Sequence, residues 1–456
     1  MINLHYKRRE IIFGLCVGIV LGVLSYLLID SLPTLGRNIP TSDVASDYMR
    51  GFAVAVFLTL GVALLPSAES ERVPLLLLWA VRSGVTLIGM LFYEYVYGLD
   101  AYSYFEEAVS QYTIANQNFD FLDGTNSMFF LTKFAVGYVP FLGSYHALKV
   151  LWSFFGFLGT YVFYRAYVNY TGKADIRLLW ILGLFPSLVF WSSILGKDPI
   201  TYLGIALFFY GALPLFQKLE IKNLIFVAVG LSIAGYIRLW LILIFLLPLL
   251  ILYLFRSRSK FATKAIILAA GIFIFNHFSS GLMGYLNSQS QDGVLDTVSS
   301  VASSWSYGGS GQKVAAFNSN LDLIKFLPKG MFAALFRPLP GEIFNAFGLL
   351  SSLENMLLLL AVIFTFKQMI QKVKSDLFVQ YALLTILIWS SFYSVISYQN
   401  LGTAVRFKLQ VLPLLLLIPY HIWTQSRAAK NTGAMAMNRH GAKENHTSAP
   451  LQDSLL

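Results

Sequence analysis

The chain has 456 residues, of which 57% are hydrophobic and 12% charged, with a formal net charge of +10 and a mean hydropathy of +0.65. Soluble domains carry about 45–50% apolar and about 25% charged residues, so this composition cannot build a water-facing surface. A single cysteine, Cys16, excludes a disulfide-stapled scaffold.

The apolar runs are continuous rather than alternating, which predicts membrane-spanning helices and argues against a β-barrel. At the N-terminus, Lys7, Arg8 and Arg9 precede an apolar run from Ile11 to Ile29. No small-residue cleavage site follows in Asp30-Ser31-Leu32-Pro33, so the run reads as a retained first span. Crossing the hydrocarbon takes about 20 residues, somewhat fewer where the bilayer thins. Candidate spans are 11–29, 51–66, 73–94, 146–168, 177–195, 199–216, 222–237, 238–255, 262–279, 344–366, 376–396 and 407–424. The expectation is therefore an all-α, polytopic bundle of about twelve spans, with the 222–255 stretch divided near Gly235 and Arg238. Met128–Leu142 competes for a place but reads better as a helix lying in the external interface.

With cytoplasmic termini, this topology puts most of the 33 basic residues inside, so the basic charge expresses orientation rather than nucleic-acid binding. Two long segments then face outward, 95–145 and 280–343, longer than connections usually are without a function. The second opens as a Ser/Gly/Gln-rich stretch, Ser288–Gly311, and ends with an apolar approach, Leu321–Phe336. From Gln425 the chain is polar and small and reads as a disordered cytoplasmic tail. The domain reading is 1–72 as two additional N-terminal spans, 73–424 as the main membrane domain and 425–456 as the tail. No period of 20 to 50 residues suggests a solenoid.

Polar residues that carry chemistry collect on the external side. The third span exits through Tyr93-Glu94-Tyr95-Val96-Tyr97-Gly98-Leu99-Asp100-Ala101-Tyr102, where an interfacial aromatic belt is the plain reading and a general base at Asp100 the functional one. Lys197-Asp198-Pro199 follows Trp191-Ser192-Ser193. Asp before Pro is a helix start, which makes N-capping the first role for Asp198, while Lys197 beside helix-start amides suits an anion. Arg238, Arg337, Arg406 and Lys408 sit at other external helix ends. Each alone reads as a snorkelling anchor, but several together run against the positive-inside bias and suit a phosphate or pyrophosphate. Arg337 belongs to the turn Arg337-Pro338-Leu339-Pro340-Gly341-Glu342. Arg82 and Glu354 fall mid-span, should face protein or water, and are candidate partners for each other. His146, His277, His421, Asp120 and Asp123 lack metal-ligand spacing, so a divalent metal is unsupported and no cofactor is evident. Neither a phosphate-cradling glycine loop nor a serine nucleophile elbow occurs.

An aromatic span exit with Asp100-Ala101-Tyr102, an external loop with an interfacial helix, the Lys197-Asp198 turn and a later external loop together resemble the GT-C superfamily of integral-membrane glycosyltransferases. The likeness covers roughly 73–260. It implies a GT-C-like fold and transfer of a sugar from a polyprenyl-phosphate carrier to a glycan or lipid-linked acceptor on the non-cytoplasmic face of the inner or plasma membrane. Asp100 matches that family's first-loop catalytic acid, and Lys197-Asp198 its polar turn at the next external junction. Arg337–Glu342 and Gly402–Arg406 look like segments of bacterial envelope-polysaccharide membrane proteins. The first loop lacks an Asp-x-Asp pair, a departure that puts metal dependence in doubt. On this reading Asp100 is the base; Lys197, Arg238, Arg337 and Arg406 are the phosphate-binding candidates; and Asp198, Tyr102 and Glu342 support them. The alternatives are a polysaccharide polymerase joining lipid-linked repeats, and a lipid-linked oligosaccharide flippase or transporter, which Arg82 and Glu354 would favour.

Overall fold

The computed structural model describes residues 8–97, 99–110, 124–256, 260–269, 271–273, 276, 294–306, 310–315 and 317–427. Lys7, Gly98, Asp120, Asp123, Arg258 and His277, parts of the Ser/Gly-rich stretch and the tail beyond Arg427 lie outside the described residues. Among the described residues every regular element is helical, and the sole strand-like pairing is an isolated antiparallel bridge between Gly311 and Asn400.

Among the described residues, five helices are long and apolar enough to cross a membrane: Cys16–Leu35, Glu69–Val96, Tyr145–Thr171, Lys197–Leu215 and Ala346–Val373. A sixth candidate is the pair Leu401–Lys408 and Leu412–Arg427, which meet at 61°. Shorter apolar helices, Ile221–Ile237, Trp240–Arg256, Phe261–Phe273 and Leu377–Phe392, fill in around them. The protein is thus a membrane-embedded helical bundle. Several expected spans differ in detail. The 177–195 run is two helices, Ile176–Leu184 and Pro186–Trp191, because Pro186 cannot continue the ladder and Phe185 before it is extended. The 73–94 run extends to Glu69–Val96 and carries a π turn at Val85–Gly89. The last expected span, 407–424, begins at Leu412, which leaves Arg406 and Lys408 on the short helix before it. The 222–255 stretch breaks where expected: one helix ends at Ile237, Arg238 is extended, and the next begins at Trp240. Met128–Leu142 falls on a helix, Gly124–Tyr138, followed by a 3-10 turn at Pro140–Leu142.

The Tyr145–Thr171 and Lys197–Leu215 helices form the centre, each 72% buried over its most apolar window. The first is tied at its start by Asp47, whose carboxylate accepts from the backbone N–H of Tyr145 at 2.8 Å and of His146 at 2.9 Å, satisfying donors that the helix cannot satisfy itself. It ends at Gly172, whose φ of 69° makes the left-handed C-cap. Lys197–Leu215 packs backbone to backbone on Ile221–Ile237. A Cβ on Gly230 would lie 2.3 Å from the Phe208 nitrogen, so only glycine permits that approach.

Candidate functional site

The helix Lys197–Leu215 starts after Gly196, and Asp198 falls in its first turn. Capping is not what its side chain does. Asp198, 1% exposed, accepts at Oδ1 from Arg238 Nη1 and Nη2, both at 3.1 Å, and at Oδ2 from Arg406 Nε. Arg238 reaches it from the extended residue between two helices and lies over the Phe407 ring at 4.6 Å. Arg406 comes from the short helix Leu401–Lys408, whose start is capped by Asn400 through the Thr403 N–H at 3.0 Å. With Nε engaged, Arg406 turns Nη1 to within 3.9 Å of Asp100 Oδ2. The carboxylate of Asp100 is 68% exposed. Asp100, Arg406, Asp198 and Arg238 therefore form one continuous chain of alternating charge, drawn from four separate segments.

Asp100 and Arg406 both line a cavity of ≈ 580 Å³. Its polar side includes Ser187, Glu354, Asn400 and Thr403; its apolar side includes Val81, Leu184 and Leu350. Those three apolar residues are also exposed on the helix surface, so the cavity wall is continuous with the bundle's outer apolar face. Ser310 lines it too, donating from Oγ to Asn400 Oδ1 at 2.8 Å beside the Gly311–Asn400 bridge. The end of the Ser/Gly-rich stretch is thereby pinned at the cavity wall.

The remaining expected site residues are placed differently. Lys197 Nζ donates to Thr125 Oγ1 at 2.9 Å and is not on the cavity wall. Arg337 donates from Nε to Glu342 Oε1 at 2.7 Å, and Glu342 Oε2 also accepts from Leu339 N, so the pair closes its own turn; Pro338 of that turn does reach the wall. Tyr102 donates to the Glu94 carbonyl at 3.1 Å. Burial, helped by the Glu94 charge, pushes its phenol well above the usual range. The neighbouring Tyr104 phenol is raised likewise, first by burial and then by Asp100, so both tyrosines stay protonated near neutral pH.

Arg82 and Glu354 are not partners. Arg82 donates to Ser192 Oγ at 2.6 Å, to the Ser192 carbonyl and to Thr160 Oγ1, while Glu354 accepts from Ser187 N at 2.8 Å and from Ser187 Oγ. The Arg82 cradle depends on Gly156, where a Cβ would lie 2.0 Å from the Ser192 carbonyl oxygen. Lys408 Nζ is buried against Asn355 Oδ1 and the Leu335 carbonyl. No cluster of three His, Cys, Asp or Glu side chains suited to a metal ion occurs among the described residues. His146 is instead held by Asp47 at 2.6 Å and His421 by Asp376 at 2.9 Å.

In the sequence Glu354 stands out as a mid-span charge and candidate partner of Arg82, and Tyr93 as part of an interfacial aromatic belt; Asn400, Ser187, Phe190 and Phe347 carry no signal as site residues. The intramembrane carboxylate was the one available signal. Fold and site define a membrane-embedded helical protein with a charged, laterally apolar cavity. Compared with protein-family models, curated proteins and solved structures, the chain matches none.

Proposed function

We propose that this protein is an integral-membrane glycosyltransferase of the cell membrane, with cytoplasmic termini and about twelve spans. It moves a sugar from a polyprenyl-phosphate carrier to a glycan or lipid-linked acceptor on the non-cytoplasmic face. The observation that carries the reading is the cavity whose wall holds Asp100 and Arg406 together and runs into exposed apolar helix surface. An amphiphile fits such a wall: its tail lies along the apolar side and its phosphate near the guanidinium.

The proposed chemistry uses that placement. Asp100 takes the proton of the acceptor hydroxyl while that oxygen attacks the anomeric carbon. The bond from that carbon to the phosphate oxygen breaks, with inversion, and the departing phosphate keeps the electron pair. Arg406 stabilises its growing negative charge. Arg406 is the cavity-lining member of the four proposed phosphate-binding cations; Arg238 acts behind it by holding Asp198. A polysaccharide polymerase would use the same arrangement, and product length separates the two: one added sugar against long chains. In proteoliposomes supplied with donor and acceptor, Asp100→Asn should lower transfer by about 10²–10⁴-fold with insertion unchanged. Full activity in that variant refutes the assignment, and transbilayer movement of carrier without transfer favours a flippase.

A further inference from the structure

Two carboxylates line the cavity, and the reaction above uses only Asp100. Glu354 stands on the Ala346–Val373 helix, with Ser351 and Phe347 one and two turns earlier on the same cavity-lining face. It is 6% exposed, and its hydrogen bonds come from a single residue, Ser187, through the backbone N–H and the hydroxyl. No salt bridge to it occurs among the described residues; the Lys408 charge acts on it from farther off, with two of that ammonium's three donors held by Asn355 and the Leu335 carbonyl. A carboxylate has about four acceptor sites, so Ser187 leaves capacity for further donors from the cavity. An ionisable side chain at membrane depth is costly to keep and marks a binding or transport site.

The surroundings narrow the ligand. Phe190, from the same short helix as Ser187, lies 5.5 Å from Phe347 between ring centroids. Tyr93 meets Phe347 at 5.0 Å and Phe190 at 5.1 Å. All three rings line the same cavity as the carboxylate. Apolar rings and a carboxyl group on one wall suit a ring that is C–H-rich on its faces and hydroxyl-bearing at its edge, which is a sugar. Rings and a carboxylate would also receive an ammonium group; the lipid-linked sugar donor proposed above decides for the sugar.

We propose that Glu354, oriented by Ser187 and sharing the cavity wall with Phe190 and Phe347, forms the sugar subsite of the cavity and fixes the carrier-borne sugar by accepting hydrogen bonds from its hydroxyls. This rests on the glycosyltransferase reading and adds to it a specificity-determining residue separate from the phosphate contact at Arg406.

The test uses the full chain in nanodiscs and calorimetric dissociation constants for farnesyl phosphate and for farnesyl phosphate bearing glucose, galactose, mannose or N-acetylglucosamine. The wild-type protein should bind at least one glycosylated probe more tightly than the bare phosphate. Glu354→Gln should reduce that advantage about 10-fold or more, the loss expected for a hydrogen bond to a charged group, and leave farnesyl phosphate binding unchanged. Ser187→Ala should reduce it in the same direction and decides the question alone if Glu354→Gln fails to fold. Arg406→Gln should weaken bare and glycosylated probes alike. A sugar advantage that survives both Glu354→Gln and Ser187→Ala overturns the subsite, while Arg406 dependence leaves the transferase reading standing. Wild-type protein that binds none of the probes overturns both.

Discussion

Arg406 grips Asp198 through Nε and, in doing so, aims its Nη1 at Asp100, 3.9 Å away. One buried carboxylate thus sets the direction of the cation that faces the cavity, and Arg238, on the other oxygen of Asp198, keeps that carboxylate in place.

Asp198→Asn should therefore act through Arg406. Misplacing a charge-bearing group by about 1 Å can cost about 10²-fold in rate. The expected result is a fall of that order in kcat/KM carried by the donor, with KM for the acceptor unchanged. Steady-state kinetics with each substrate varied in turn measure this, and equal changes for donor and acceptor would assign Asp198 a purely structural role.

Arg238→Met removes one partner of a buried carboxylate, a change that typically costs about 3–5 kcal/mol when the charge is left uncompensated. Arg406 still contacts Asp198, so the loss should fall at or below the lower end of that range. Thermal unfolding in detergent reads it, and an unchanged midpoint would show that Arg238 contributes nothing there.

A second buried pair makes an independent test. Lys149 donates to Glu94 Oε2 at 2.9 Å with both side chains fully buried, and Tyr145 donates to the same carboxylate at 2.7 Å. Lys149→Met alone should destabilise by about 3–5 kcal/mol, whereas Glu94→Gln combined with Lys149→Met should recover part of that loss. Additive losses in the double variant would contradict the pairing.

Gly156→Ala pushes a methyl to 2.0 Å from the Ser192 carbonyl oxygen and 2.7 Å from Arg82 Nη1. Overpacking of this kind costs about 1–3 kcal/mol, so the unfolding midpoint should drop. Wild-type stability would mean that the Pro186–Trp191 segment and the turn after it yield easily.

Acid sensitivity should appear at the Asp175 turn. Its carboxyl is held down to about 2 by the hydrogen bonds from Arg177, against some burial that works the other way. A depressed carboxyl stabilises the fold above its unfolded value, 3.8, and loses that contribution as the pH falls toward about 2. Arg177 is half exposed, so solvent screening keeps the effect small. Local opening of Ile176–Leu184, read from hydrogen exchange corrected for the intrinsic rate at each pH, should rise in the wild type as the pH falls between those two values and stay flat in Asp175→Asn.

The sequence made the helices legible because an apolar run of membrane length has few other outcomes, and it located the break at Arg238. It misled wherever distant residues outcompeted a local signal. Asp198 before Pro199 reads as a cap, yet its partners are 40 and 208 residues further on. Pro186 lies inside a run apolar enough to pass for a single span, although the proline is the local mark that Phe185 is extended and the helix broken. Arg82 and Glu354 invited pairing as the two mid-span charges, but hydroxyl and backbone groups supplied by Ser187, Ser192 and Thr160 engage each separately. Of the site, Asp100 and Arg406 were visible as charges at helix ends; that they share one wall depends on the bundle.

Arg406 and Lys408 stand two residues apart on one short helix, about 200° around its axis, and each is locked to a different neighbour. Inserting or deleting a single residue between Leu401 and Arg406 would rotate both anchors by about 100° at once. That stretch consequently tolerates point replacement far better than any change of length, and families of such chains would align through it without gaps.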